Sequence, residues 1–72
     1  MRALSNSYSR DALHDVLELA KSAVEKEYGI VFLSEPIYER LLEQCREIVK
    51  SYNSEVAFEE MKREIIDLVR RR

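Results

Sequence analysis

From Ile37 to Tyr52 the apolar residues return every three or four positions: Ile37, Tyr38, Leu41, Leu42, Cys45, Ile48, Val49 and Tyr52. At about 100° per residue they cover one helical face on the order of 140° wide. A helix packed on one neighbour needs only a narrow seam, so a stripe this wide calls for two or more. The rest of the chain has to be arranged around that need. Pro36 suits the first turn, where its missing N–H has no intrahelical acceptor to lose. It also biases Glu35 toward an extended backbone, which leaves the N-cap open between Ser34 and Glu35.

Two further amphipathic segments flank this helix. In the first, Leu13, Val16, Leu17, Ala20, Ala23, Val24 and Tyr28 recur at helical spacing. Ser7 or Ser9 can cap its start, Asp11 suits the positive end of the dipole, and Gly29 stands where a left-handed C′ residue ends a helix. In the third, Ala57, Phe58, Met61, Lys62, Ile65, Ile66, Leu68 and Val69 form the stripe, with Asn53-Ser54 as the break before it. Glu55, Glu59 and Glu60 open that helix and Arg70, Arg71 and Arg72 close it, matching the dipole at both ends. Glu59 with Lys62 and Arg63, and Asp67 with Arg70 and Arg71, add exposed pairs worth a few tenths of a kcal/mol each. The expected fold is all-α: a three-helix, bundle-like single domain over 1–72, with helices at about 8–28, 35–52 and 54–71.

Between the first two helices lies Ile30-Val31-Phe32-Leu33, an apolar run rich in β-branched and aromatic residues. Such a run favours a short extended segment. Ile30 and Phe32 would then face one way, Val31 and Leu33 the other. Two readings stay open. The segment is a buried connector filling the gap between helices, or a strand that pairs with its copy in a second chain. A lone strand would leave backbone groups unpaired.

A chain of 72 residues buries only about 60% of its unfolded surface, and a core of this size supplies about 3–5 kcal/mol. The single cysteine, Cys45, excludes an internal disulfide and is expected as a buried, reduced thiol on the apolar face. Oligomerisation is the remaining aid to stability. Self-association is expected through Ile30, Val31, Phe32, Leu33, Leu42, Val49 and Ile66, because the faces of the second and third helices look wider than one small bundle can cover. No apolar run reaches the ~18 residues of a membrane span, and MRALSNSYSR lacks a signal-peptide core. The expectation is a cytoplasmic protein without membrane contact.

Charge is mixed: 12 basic and 14 acidic residues, net −2. That balance lacks the basic face of a general nucleic-acid binder. On the outer side of the central helix Glu35, Glu39, Glu43 and Glu47 stand four apart. Like charges at this spacing cost roughly 0.2–0.5 kcal/mol per pair, so the row reads either as a solvated face or as a ridge that docks a basic partner. Lys62, Arg63, Arg70, Arg71 and Arg72 have the composition for phosphate contact, which carries affinity without sequence reading. His14, the only histidine, has Asp11, Asp15 and Glu18 within a turn. Metal sites need three or four convergent ligands with supporting hydrogen bonds, so a solvated flank residue is the plainer reading. No nucleophile–base motif or phosphate loop is present, and neither catalytic residues nor a cofactor is expected. The function that follows is a non-catalytic interaction module or small regulator. It would self-associate through apolar helix faces or bind a partner helix, with the acidic row facing a basic partner.

From Ile30 onward, IVFLSEPIYERLLEQCREIVKSYNSEVAFEEMKREIIDLVRRR resembles a ribbon–helix–helix segment. It has a short run, a proline-started helix, a polar turn at Asn53-Ser54-Glu55 and a second helix. That family forms dimers whose paired strands enter the DNA major groove, and several members are repressors or antitoxins. The resemblance implies, as an alternative, a dimeric nucleic-acid-binding regulator. Its base-reading strand residues do not carry over, because Ile30 to Leu33 offers no polar or basic side chain. The glycine usual between the helices is also replaced, with Tyr52 preceding Asn53.

Overall fold

A computed structural model of the protein describes residues 10–71. Three helices account for most of them: α1 (Arg10–Tyr28), α2 (Glu35–Ser51) and α3 (Ser54–Arg71). The lead-in 1–7, the caps suggested at Ser7 and Ser9, and Arg72 lie outside the described residues.

Each boundary has a local cause. Gly29 takes φ 89°, the left-handed conformation open to glycine, and its N–H donates to the Glu25 carbonyl at 2.9 Å. Ser34 is the N-cap of α2, with φ −66° and ψ 159°, but its side chain makes no capping bond. Pro36 sits in the first turn, where it removes no helical bond. Asn53 is a working cap: its Oδ1 accepts the Val56 N–H at 2.8 Å and its carbonyl accepts that of Ala57 at 3.1 Å. The central helix ends one residue earlier than the periodicity indicates. Tyr52 is its C-cap, at φ −132° and ψ −104°, and is 71% exposed. Its place on the wheel continues the apolar stripe, but the chain has already left the helix there.

The core draws on all three helices and on the α1–α2 link. Leu13, Leu17, Ala20 and Val24 come from α1, Leu41, Leu42, Cys45 and Val49 from α2, and Ala57, Met61 and Ile65 from α3, with Val31 between α1 and α2. Ala20 and Ala57, both fully buried, are small residues at which backbones can approach closely. The wide stripe of α2 is therefore met inside one chain. Leu42 and Val49, expected to serve self-association, are 4% and 5% exposed, and Val31 is 4% exposed. All three belong to the internal core and offer no surface to a second copy. Leu33 and Ile66 are partly buried against the same core. Ile30 and Phe32 are the members of that set that face solvent.

α3 returns against α2 across the short Tyr52–Asn53 link, setting Gln44 and Ile48 beside Met61. The order of α1 and α2 is less ordinary. Arg10, His14 and Glu18, in the first half of α1, meet Tyr38 and Glu39 in the first turns of α2. The two helices thus start at the same end. The link 29–34 has to carry the chain back along α1 by roughly 15 Å, the rise of ten helical residues. Six residues reach at most about 20 Å, so the link suffices. It forms neither helix nor strand. Along it Ile30 and Phe32 are exposed, Val31 is buried and Leu33 half-buried. The Val31 N–H, which has no helical or strand acceptor, donates instead to Glu25 Oε2 at 2.9 Å.

Candidate protein-interaction surface

The acidic row of α2 is exposed throughout, as its position opposite the apolar stripe requires. It does not act as one uniform ridge. Glu39 is bridged to Arg10 of α1. Glu43 accepts from Arg46 one turn on, at 2.8 Å. Among the described residues no ion pair reaches Glu35 or Glu47.

At the C-terminal half of α2 the row meets acids of α3 that its own sequence spacing does not reveal. Glu43 and Glu47 stand on one side of an open groove and Glu60 and Glu64 on the other, with Gln44 beside them and Ile48 and Met61 at the floor. The groove has a volume of about 420 Å³. Helical spacing explains each wall. Glu43 and Glu47 are four apart, as are Glu60 and Glu64, so each pair lines one edge of its helix. The antiparallel return of α3 sets the two edges face to face. Glu60 has Arg63 at 3.8 Å on its outer side, whereas Glu64, like Glu47, has no ion pair among the described residues. The groove therefore joins an apolar floor to a net negative rim.

The basic residues considered for phosphate contact are dispersed along α3. Lys62 lies 4.9 Å from the Phe58 ring centroid and 3.5 Å from Glu59. Arg63 stands by Glu60, and Arg71 by Asp67 at 2.9 Å. Arg70 is exposed. The sequence spacing anticipates the Glu59–Lys62 and Asp67–Arg71 pairs. Arg63, equally able to reach Glu59, pairs with Glu60.

His14 has a role that helix spacing alone does not show. Its Nδ1 lies 2.9 Å from the Tyr38 hydroxyl, with the two rings 4.9 Å apart. That hydroxyl donates to Glu18 Oε2 at 2.8 Å. A phenol has one proton, so donation to Glu18 leaves its oxygen to accept from His14 Nδ1–H. Burial, reinforced by the hydrogen bond to Glu18, pushes the Tyr38 phenol well above its ordinary range. Tyr38 thus stays neutral and ties α1 to α2. Among the described residues no three His, Cys, Asp or Glu side chains converge as metal ligands would. Cys45 is fully buried, and burial raises its thiol above the usual value, which suppresses the reactive thiolate.

The fold and this surface define a small three-helix domain with an acid-rimmed groove between its second and third helices. No protein-family model, curated protein or solved structure matches the chain. Among the described residues no helix is long and apolar enough to cross a membrane.

Proposed function

We propose that the chain is a non-catalytic interaction module that takes a basic amphipathic segment of a partner protein into the groove between α2 and α3. The observation that carries this reading is the pairing of an apolar floor, Ile48 and Met61, with four carboxylates, Glu43, Glu47, Glu60 and Glu64. A helix laid in such a groove inserts apolar anchors at i, i+3, i+4 and i+7. Lysines or arginines on its flanks meet the glutamates. The apolar contact supplies affinity, and the acidic rim supplies encounter rate and selection against acidic partners.

The test is a calorimetric titration with a designed helical peptide bearing leucine anchors and lysine flanks. Reversing Glu47 and Glu64 together, as Glu47→Lys and Glu64→Lys, weakens binding at least tenfold. Glu39→Lys, one turn before Glu43 and outside the groove lining, changes it less than twofold. Raising the salt concentration weakens the wild-type complex, because rim charges are screened. Equal affinity for wild type and the double variant removes the groove from the mechanism.

A further inference from the structure

The rim of the groove is written twice in the chain. Glu43-Gln44-Cys45-Arg46-Glu47-Ile48 in α2 and Glu60-Met61-Lys62-Arg63-Glu64-Ile65 in α3 share the pattern Glu-x-x-Arg-Glu-Ile. Both copies give the groove their two glutamates and the residue after the first of them. The ion pairing repeats as well. The first glutamate of each copy meets its own arginine three residues on, Glu43 with Arg46 at 2.8 Å and Glu60 with Arg63 at 3.8 Å. The second, Glu47 or Glu64, has no ion pair among the described residues. Ile37 of α2 shares a hollow with Leu68 and Val69 of α3, while Gln44 and Ile48 stand beside Met61, so the two copies run in opposite directions. Glu43 accordingly lies across from Glu64, and Glu47 across from Glu60. A local two-fold axis normal to the groove relates its walls, and the two open carboxylates occupy opposite corners.

We propose that the groove accepts its partner helix in either direction, and that it recognises a pair of cations set diagonally across the partner's apolar stripe. This inference rests on the groove being the partner site. Turning a helix by half a revolution about the local axis reverses its direction but carries a diagonal pair of charges onto itself. Glu47 and Glu64 therefore receive the two cations in both directions. The walls do not orient the partner's dipole either, because α2 and α3 are antiparallel and their own dipoles oppose. The diagonal also fixes a spacing. Two positions on opposite flanks of a stripe, more than one turn apart, are five or six residues apart at about 100° per residue. Positions four apart fall on the same flank. The floor is less symmetric than the rim: Met61 and Ile65 are fully buried, whereas Gln44 is exposed and Ile48 half-buried. That difference favours one direction by no more than about one hydrogen bond, a factor of about ten.

Helical peptides of equal composition test the assignment. Each carries leucine anchors and two lysines, placed five, six or four residues apart. At low salt the better of the two diagonal peptides binds at least about threefold tighter than the same-flank peptide, the effect of one exposed ion pair. Glu47→Gln and Glu64→Gln weaken the diagonal complex by factors that agree within twofold. Direction is read with a nitroxide on the peptide's N-terminus in one sample and on its C-terminus in another. Either label broadens amides at both ends of the groove: Ile37 and Leu68 at one end, Ser51 and Val56 at the other, about 20 Å away along α2. Labels that each broaden a single end, the two termini marking opposite ends, overturn the proposal. Equal affinity for diagonal and same-flank peptides overturns it too. Both of those results leave the groove standing as a binding site. Absence of saturable broadening from every peptide overturns this inference together with the groove reading.

Discussion

Glu25 does at one position what a β-ladder would otherwise do for the link. Its carboxylate accepts the Val31 N–H at 2.9 Å and lies 3.3 Å from Lys21 Nζ. The backbone bond, with smaller help from Lys21, holds its pKa below the ordinary carboxylate value. A lowered folded pKa stabilises the fold above the unfolded value, about 4.3. That stabilisation is lost as pH falls through the lower folded value. Glu25→Ala therefore melts at a lower temperature than wild type at pH 7, and the gap narrows as pH is taken below 4; thermal melts across that range check it. Cys45 makes a second prediction at this scale. With 0% exposure and a raised thiol pKa, it reacts with a disulfide reagent at pH 8 only as fast as the core opens. Added denaturant accelerates the reaction by orders of magnitude. The Glu25 behaviour was not legible in the sequence, because a side-chain-to-backbone bond six residues away follows no helical repeat. For Cys45 the apolar stripe was sufficient.

The three helices were legible because their ends carry distinct chemistry. Gly29, Pro36 and Asn53 punctuate the chain, and each boundary has a backbone reason on that residue or the next. The two caps separate in consequence. Asn53→Ala removes an observed bond to the Val56 N–H and costs about 1 kcal/mol, a drop of roughly 4–8 °C in Tm for a domain of this size. Ser34→Ala removes no side-chain capping bond and leaves Tm within about 2–4 °C, since changes away from specific contacts stay within ±0.5 kcal/mol. Paired melts of the two variants check the contrast. Helix order in space was not legible. Periodicity says which face is apolar, not which neighbour covers it, and the common expectation for a six-residue link is a simple reversal. The contacts of Tyr38 with His14 and Glu18 reveal instead a chain that doubles back along α1. The same gap explains why Leu42 and Val49 looked like surplus apolar surface. Their covering residues belong to elements far away in the sequence.

For the whole molecule, the site was half visible. The α2 acids stood out by their four-residue spacing, yet Glu35 and Glu39 fall away from the groove, and Glu39 is occupied by Arg10. Glu60 and Glu64 were hidden among the mixed charges of α3, and only the antiparallel return of that helix sets them opposite Glu43 and Glu47. Apolar floor and charged rim come from different elements, so no linear motif could announce them. The most direct measurement is an NMR titration of labelled protein with the lysine-flanked amphipathic peptide at low salt. The groove account predicts saturable shifts concentrated at Ile48, Met61 and the amides around Glu43, Glu47, Glu60 and Glu64. Shifts spread evenly over the acidic residues, with Glu35 and Glu39 moving as much as Glu47 and Glu64, would contradict it.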